Sequence, residues 1–123
     1  MRGFPKQIIE ALSTGKILTI RAGKGSHRFI GIWVVVVENR VFVRSWSLKP
    51  GGWYRTLLED PLCTVKVENR NIAARAIRTR SSRLKEAVSR AYREKYNTPG
   101  SLVYVRGFKR PKRRDTTTEL IPA

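Results

Sequence analysis

The sequence of 123 residues contains little histidine, cysteine or acid. His27 is its only histidine and Cys63 its only cysteine, so neither a Ser-His-Asp triad nor a metal set of histidines or cysteines is expected. A lone cysteine forms no disulfide within the chain, and a reducing compartment is compatible with it. The 9 acidic residues are scattered, without the spacing of paired catalytic carboxylates. The side chains alone therefore predict no metal site and no catalytic residue.

Long apolar runs are also missing. The longest candidate, residues 32–37, is the length of a strand, whereas a membrane-spanning helix needs about 20 residues. The first residues lack the apolar stretch of a secretory signal. We therefore expect a cytoplasmic protein without a membrane partner.

The most distinctive feature of the composition is its excess of basic residues. Lys and Arg number 26, which gives a formal net charge of +17. Such a charge attracts anions, and its self-repulsion destabilises a compact domain unless an anionic partner offsets it. The length and the 41% hydrophobic content suit a single domain over residues 1–123. The composition therefore predicts one small domain that binds a polyanion.

Hydrophobic periodicity predicts more strands than helices. Helices are expected at 5–14, 53–60 and 81–96, and strands at 16–22, 28–38, 41–44, 62–68, 72–77, 102–108 and 116–121. Turn residues at 23–26 separate the first two strands. Runs of strands with few helices are typical of a mostly β fold, with an antiparallel sheet curled or closed as a barrel and helices outside it.

Two local patterns add detail to this prediction. Cys63 alternates with Val65 and Val67 along one strand, so its thiol is expected to face the core as a structural group. The tetrapeptide Val-Glu-Asn-Arg occurs at 37–40 and 67–70, each time between strands, either as a duplicated hairpin or as the same turn chemistry reached twice.

Residues 44–55 are the best candidate for binding a phosphorylated cofactor. A strand ends in Arg44 and Ser45, and Lys49 with two glycines precedes a helix whose free N–H groups attract anions. The candidate cofactor-binding residues are Arg44, Ser45, Trp46, Lys49, Gly51, Gly52, Trp53, Tyr54 and Arg55. The same spacing is also compatible with an ordinary solvated loop in which Trp53 and Tyr54 anchor the chain to the core.

The sequence resembles a known family along nearly its whole length. The residues that carry the resemblance are Trp33 with its following valines, 41–45, 52–55, 91–96 and 116–122. They are similar to domain-of-unknown-function family 2255, which is grouped with the flavin-binding split barrels. Residues 49–61 are also similar to deazaflavin-dependent nitroreductase-like proteins, and Ser45, Ser47 and Lys49 to pyridoxamine-phosphate oxidase-like proteins.

This resemblance implies a split β-barrel of about six to seven mainly antiparallel strands. It also implies a homodimer, with FMN or deazaflavin along the strands near the subunit interface. By position, Arg44, Ser45 and Lys49 would bind phosphate, and Gly52, Trp53 and Tyr54 would shape the start of the neighbouring helix.

Two functions explain the charge. The first is a flavin- or deazaflavin-binding oxidoreductase that acts on a small organic acceptor, with the chemistry supplied by the cofactor. The second is a nucleic-acid binder without enzymatic activity, with Trp46 or Phe108 as a stacking surface. Its cationic surface would consist of Arg75, Arg78, Arg80, Arg83, Lys109, Arg110, Lys112, Arg113 and Arg114. The basic run 109–114 is expected to form a loop between the last two strands.

Overall fold

The computed structural model describes residues 3–23 and 27–123. Its helices are α1 (Lys6–Thr14), α2 (Trp53–Glu59), α3 (Ser82–Lys95), α4 (Pro99–Phe108) and α5 (Pro111–Arg114). Its strands are β1 (Leu18–Ala22), β2 (Ile30–Ile32), β3 (Val35–Val37), β4 (Arg40–Val43), β5 (Leu62–Val67), β6 (Arg70–Arg78) and β7 (Thr118–Pro122). Residues 24–26 of the expected turn lie outside the described part of the chain. No helix of the described residues is long and apolar enough to cross a membrane.

All seven strands belong to one antiparallel sheet in the order β2-β1-β5-β6-β7-β4-β3. The strands at its two edges, β2 and β3, are separated in sequence by Trp33 and Val34 alone. Three backbone steps span at most about 11 Å. The sheet must therefore curl until its edges meet without pairing, which confirms the predicted mostly β, split-barrel fold.

The interior of the barrel is filled by alternate strand residues and by α1. Ile20, Val43 and Val65 are fully buried there, and Ile8 and Leu12 of α1 close one end. Cys63 belongs to the same cluster, so its predicted place in the core is confirmed. Burial raises the pKa of its thiol to about 11, which keeps the thiol protonated and unreactive at neutral pH.

Helix α3 covers the outer face of β3 and β4 and forms a second core. Its residues Leu84, Val88 and Tyr92 pack with Val35 and Phe42. The helix begins after Ser81, whose hydroxyl accepts a hydrogen bond from the backbone N–H of Leu84 at 3.2 Å. This confirms the apolar stripe predicted for residues 81–96.

The two Val-Glu-Asn-Arg segments both form two-residue hairpin turns. Glu38 and Asn39 have φ of 54° and 59°, and Glu68 and Asn69 have φ of 50° and 64°. The flanking residues of each segment are paired across the turn, in β3–β4 and in β5–β6. Positive φ at both central residues matches the right-handed twist of the strands, and asparagine tolerates that conformation better than most residues.

Three predictions about secondary structure were wrong. Residues 102–108 form most of α4 rather than a strand, because Thr98 caps a new helix and Pro99 occupies its first position. Residues 109–114 are not a loop between strands, since α5 occupies their end. The predicted strand 28–38 is interrupted at Trp33 and Val34, where the chain passes from one sheet edge to the other.

Two residues at the end of α3 form hydrogen bonds with backbone groups near the gap between the edge strands β2 and β3, which we call the seam. The Tyr96 hydroxyl donates to the Lys16 carbonyl at 2.6 Å and accepts from the Val34 N–H at 3.1 Å. The Lys95 ammonium donates to the carbonyls of Val34 and Leu12, each at 2.8 Å. Burial, with the nearby Lys16 charge, lowers the pKa of Lys95 to about 8. The side chains of Lys95 and Tyr96 thus provide hydrogen bonds where β2 and β3 form none with each other.

Replacing Tyr96 with Phe tests this role of the hydroxyl. The variant leaves the Val34 N–H and the Lys16 carbonyl without their partner, which should lower the free energy of unfolding by about 1–3 kcal/mol. Urea unfolding measures the change. Tyr104→Phe is the matched control, because Tyr104 is exposed and the structure shows no hydrogen bond for its hydroxyl within the described residues. Equal stability of the two variants would contradict a structural role for the Tyr96 hydroxyl.

Candidate functional site

A cleft of about 520 Å³ opens beside the seam of the barrel. Its walls come from the β2 edge, the chain after β4, the start of α2 and one face of α4. The lining residues are Ile17, Gly31, Ile32, Trp33, Arg44, Trp46, Ser47, Trp53, Tyr104 and Phe108. All three tryptophans of the chain are among them. The cleft is therefore apolar and aromatic, with a single cationic side chain in its wall.

The aromatic walls are held by contacts among their own rings. Trp33 stacks on Tyr96, with ring centroids 4.0 Å apart and an angle of 8° between the planes. Tyr104 meets Trp33 edge-on at 6.1 Å and Trp46 at 5.0 Å. Such offset and edge-to-face pairs favour fixed ring positions. The cleft is thus preformed and presents flat surfaces.

Trp46 is held against α4 by its neighbours. A Cβ added at Gly107 would overlap ring atoms of Trp46, so the indole packs directly on the helix backbone. The guanidinium of Arg113 lies 3.8 Å from the centre of the ring, and its Nε donates to the Trp46 carbonyl at 2.9 Å. Arg113 therefore fixes both the ring and the backbone of this residue.

Arg44 is 2% exposed, and its guanidinium donates four hydrogen bonds to protein acceptors. Its Nε donates to the Thr117 hydroxyl at 2.7 Å, Nη1 to the Ser89 hydroxyl at 2.8 Å and the Phe108 carbonyl at 3.1 Å, and Nη2 to the Lys85 carbonyl at 2.7 Å. Phe108 ends α4, where the free carbonyls and the helix dipole favour a cation. Burial lowers the pKa of Arg44 to about 10, so the side chain is still charged at neutral pH.

The Arg44 charge has no acidic counterpart in contact. Among residues 3–23 and 27–123, the carboxylates that form ion pairs do so with Arg40, Arg83, Lys85 and Arg114. A buried cation surrounded by neutral acceptors is costly to desolvate. It also makes the inner wall of the cleft electropositive. The cleft is therefore suited to a ligand with negative charge on its inner edge.

The structure places the predicted segment 44–55 along this cleft. Arg44, Trp46 and Trp53 line it, whereas Ser45 is buried, with its hydroxyl donating to the Ser47 carbonyl at 2.6 Å. The remaining predicted residues lie around the turn and α2: Lys49, Gly51 and Arg55 are exposed, Gly52 is half-buried with its N–H donating to the Lys49 carbonyl at 3.0 Å, and Tyr54 is buried. As cofactor ligands, these residues stay a prediction.

The electrostatic role expected of α2 is weaker than its sequence suggests. The helix has only seven residues, and Gly52 before it provides no side-chain cap. A short helix sums few peptide dipoles. Charge near this turn therefore comes mainly from the exposed side chains of Lys49 and Arg55.

The sequence did not indicate Trp33, Tyr104, Phe108 or Ile17 as lining residues. Ile17 precedes β1, Trp33 follows β2, and Tyr104 and Phe108 lie on α4, so all four are outside the segment 44–55. Treating residues 102–108 as a strand hid the spacing by which Tyr104 and Phe108 share one helix face. The only available signal was the helix start at Thr98 and Pro99.

The basic residues expected to bind nucleic acid lie on several different elements. Arg75, Arg78 and Arg80 are exposed on or just after β6, and Lys109, Arg110 and Lys112 are exposed on or beside α5. The others are engaged: Arg83 pairs with Glu38 at 2.5 Å, Arg114 with Glu86 at 3.9 Å, and Arg113 with Trp46. The expected stacking residue Phe108 is buried.

Comparison with known proteins supports the fold and identifies the family. Residues 8–120 match the family described as uncharacterized proteins conserved in bacteria, DUF2255. The chain belongs to the DUF2255 family. No curated protein sequence matches it.

Solved structures similar to this DUF2255 protein share its fold at low identity. The conserved hypothetical protein Rv2991 from Mycobacterium tuberculosis has a TM-score of 0.61 at 12% identity, covering 98% of this chain and 80% of Rv2991. A NimC/NimA family protein from Clostridium acetobutylicum has 0.59 at 14%, covering 95% and 79%. An F420 reductase has 0.56 at 11%, covering 98% and 96%. At these identities the likeness shows the fold alone.

Gly107→Ala tests the packing of Trp46 in the DUF2255 protein. The added methyl should displace the indole, change tryptophan fluorescence and lower the free energy of unfolding by about 1–3 kcal/mol. Gly100→Ala in the same helix is the control. A Cβ at Gly100 meets nothing within 4 Å, so this variant should leave fluorescence unchanged and raise stability by up to about 1 kcal/mol. Unchanged fluorescence in Gly107→Ala would show that the ring does not lie on α4.

Proposed function

We propose that the aromatic cleft binds the ring system of FMN or a deazaflavin, and that this DUF2255 protein is an oxidoreductase acting on a small organic acceptor. The observation that carries the proposal is the combination of flat aromatic walls and a buried guanidinium in a cleft of about 520 Å³. Small-molecule sites are typically concave, mostly apolar and supplied with a few fixed polar groups.

The residues present fit such a cofactor. Trp33, Trp53 and Tyr104 supply apolar ring surfaces that exclude water from a planar ligand. Arg44 supplies a fixed positive charge at the wall, where it would favour the more negative, reduced form of the ring. When bound, the cofactor would supply hydride transfer. The protein's own part is to orient the ring, exclude water and set the local charge.

The phosphate group is expected near the turn at 49–52. Lys49 and Arg55 are exposed cations on either side of the start of α2. Both side chains are exposed and carry charged groups that bind phosphate, whereas four of the five N–H donors of the Arg44 side chain are already used within the protein. We therefore assign phosphate binding to Lys49 and Arg55 and the ring environment to Arg44. The F420 reductase among the structures with this fold supports the deazaflavin alternative.

Cofactor titration tests the proposal. FMN and a deazaflavin should each be added to the purified protein while quenching of tryptophan fluorescence is followed. We expect binding by at least one of them at micromolar concentration, and a loss of about 10- to 100-fold in Lys49→Gln/Arg55→Gln, because two charge-assisted contacts are removed.

A matched variant controls for non-specific attraction of anions by the net charge. Lys109→Gln/Lys112→Gln removes the same number of charges from exposed positions outside the cleft lining and should retain the affinity. Failure of both cofactors to bind, or an equal loss in both double variants, would remove the oxidoreductase proposal.

Nucleic-acid binding stays the alternative, and the structure offers it less support than the composition does. Phe108 is buried, and Arg113 lies over the ring of the partly exposed Trp46, so much of the expected stacking surface is already in contact with the protein itself. The groups that remain available to a nucleic acid are the exposed cations of β6 and of the α5 region. Binding through those cations alone would fall steeply with salt and show no base preference.

We also propose that the protein forms a homodimer through the outer face of β5, β6 and β7. α3 packs on β3 and β4, whereas Leu62, Ala73, Ile77 and Ile121 point outwards from the other strands, with Arg75 among them. Ile77 is 41% exposed. Thr64 and Lys66 share this face with them, and a cluster of exposed apolar side chains rimmed by polar ones is typical of an interface.

Light scattering after size-exclusion chromatography tests this interface. The native protein should have about twice the 14.1 kDa mass of the chain, and Ile77→Glu should have the mass of one chain. Leu58→Glu, at an exposed leucine on α2, should remain dimeric. A monomeric native protein, or equal dissociation of both variants, would remove the interface.

A further inference from the structure

The rim of the cleft carries an unusual concentration of exposed apolar side chains. Ile17 is 56% exposed, Tyr104 49% and Trp46 39%, and all three line the cleft. Val103, at 57%, lies beside Trp46 in the adjoining groove on α4. Four of the seven large apolar side chains that are exposed in the described residues thus surround one opening.

Cations lie next to this apolar rim. From Lys95 to Arg114 the sequence contains seven basic residues and no acidic one. Arg106, Lys109, Arg110 and Lys112 are exposed, and no ion pair within the described residues involves them. Arg106 and Arg110 line the same groove as Val103 and Trp46. The surface therefore combines exposed hydrocarbon with uncompensated positive charge.

This combination matches an anionic lipid surface better than a nucleic acid. Aliphatic side chains such as Val103 and Ile17 gain nothing from a phosphodiester backbone, but they are stabilised below the headgroups of a bilayer. Trp46 and Tyr104 have the amphipathic rings that are enriched at membrane interfaces. Exposed Lys and Arg side chains bind lipid phosphates while their stems cover apolar surface.

We propose that the apolar rim and the exposed cations of α4 and α5 form a docking surface for an anionic lipid bilayer. Through these side chains the protein lies on the surface of the membrane. Docking directs the mouth of the cleft towards the lipid. The proposal departs from the expectation of no membrane partner, which considered only spanning segments and signals.

Vesicle co-sedimentation tests the docking surface without any cofactor. The native protein should bind vesicles of phosphatidylglycerol and phosphatidylcholine in equal parts, and should bind phosphatidylcholine vesicles much more weakly. Lys109→Gln/Arg110→Gln/Lys112→Gln should reduce the partition coefficient about fivefold for each cation removed. Val103→Ser/Tyr104→Ser should reduce it at least tenfold at high salt, where the apolar contribution dominates.

Matched controls separate this surface from the net charge of the protein. Arg70→Gln/Arg80→Gln/Arg90→Gln removes three exposed charges elsewhere, and Leu58→Ser removes an exposed apolar side chain on α2. Both should bind nearly as the native protein does, and circular dichroism should confirm that every variant is folded.

The proposal would be overturned by no binding to anionic vesicles, by an equal loss in the controls, or by full binding of Val103→Ser/Tyr104→Ser together with displacement by an oligonucleotide. The last would assign the cations to nucleic acid. A change of oligomeric mass in Val103→Ser/Tyr104→Ser would also overturn it, by assigning the rim to a second copy of the chain.

Discussion

The fold of this protein depends on how it accommodates one buried guanidinium. Arg44 directly follows β4 and donates to acceptors from α3, the end of α4 and the chain before β7. These elements are distant in sequence, and each must be in place before the charge is satisfied. Because four polar acceptors and no contacting carboxylate surround the cation, it holds the cleft wall together and makes that wall electropositive. The same side chain thus links packing to the proposed function.

Curling the sheet creates the space that Arg44 lines. Only Trp33 and Val34 join the two edge strands, so the seam cannot be closed by further strand pairing. Tyr96 and Lys95 satisfy the backbone there, and the stacking of Trp33 on Tyr96 carries this arrangement into the cleft. The aromatic cleft at the seam therefore results from the same packing that joins the two edges of the sheet. It does not depend on a separate catalytic motif.

The sequence was sufficient to predict the long helix and most of the strands, because their signals are local: alternation, helical spacing and turn residues. The cofactor-binding role of residues 44–55 stays a prediction. The sequence was insufficient for α4, whose valines and aromatics suggested a strand. The two lining residues that α4 supplies, Tyr104 and Phe108, were therefore missed. The burial of Arg44 could not be predicted either, since its acceptors are backbone carbonyls and hydroxyl groups that only the tertiary fold brings together. Positive charge was evident from composition, but its division between a buried cation and exposed ones was not.

A crystal structure of the protein with FMN or a deazaflavin bound tests the central claim most directly. We predict that the ring lies against Trp33, Trp53 and Tyr104 with an edge towards Arg44, and that the phosphate contacts Lys49 and Arg55. A ring bound on the outer face of β5–β7, or on α5 away from the tryptophans, would contradict the assignment of the cleft as the cofactor site.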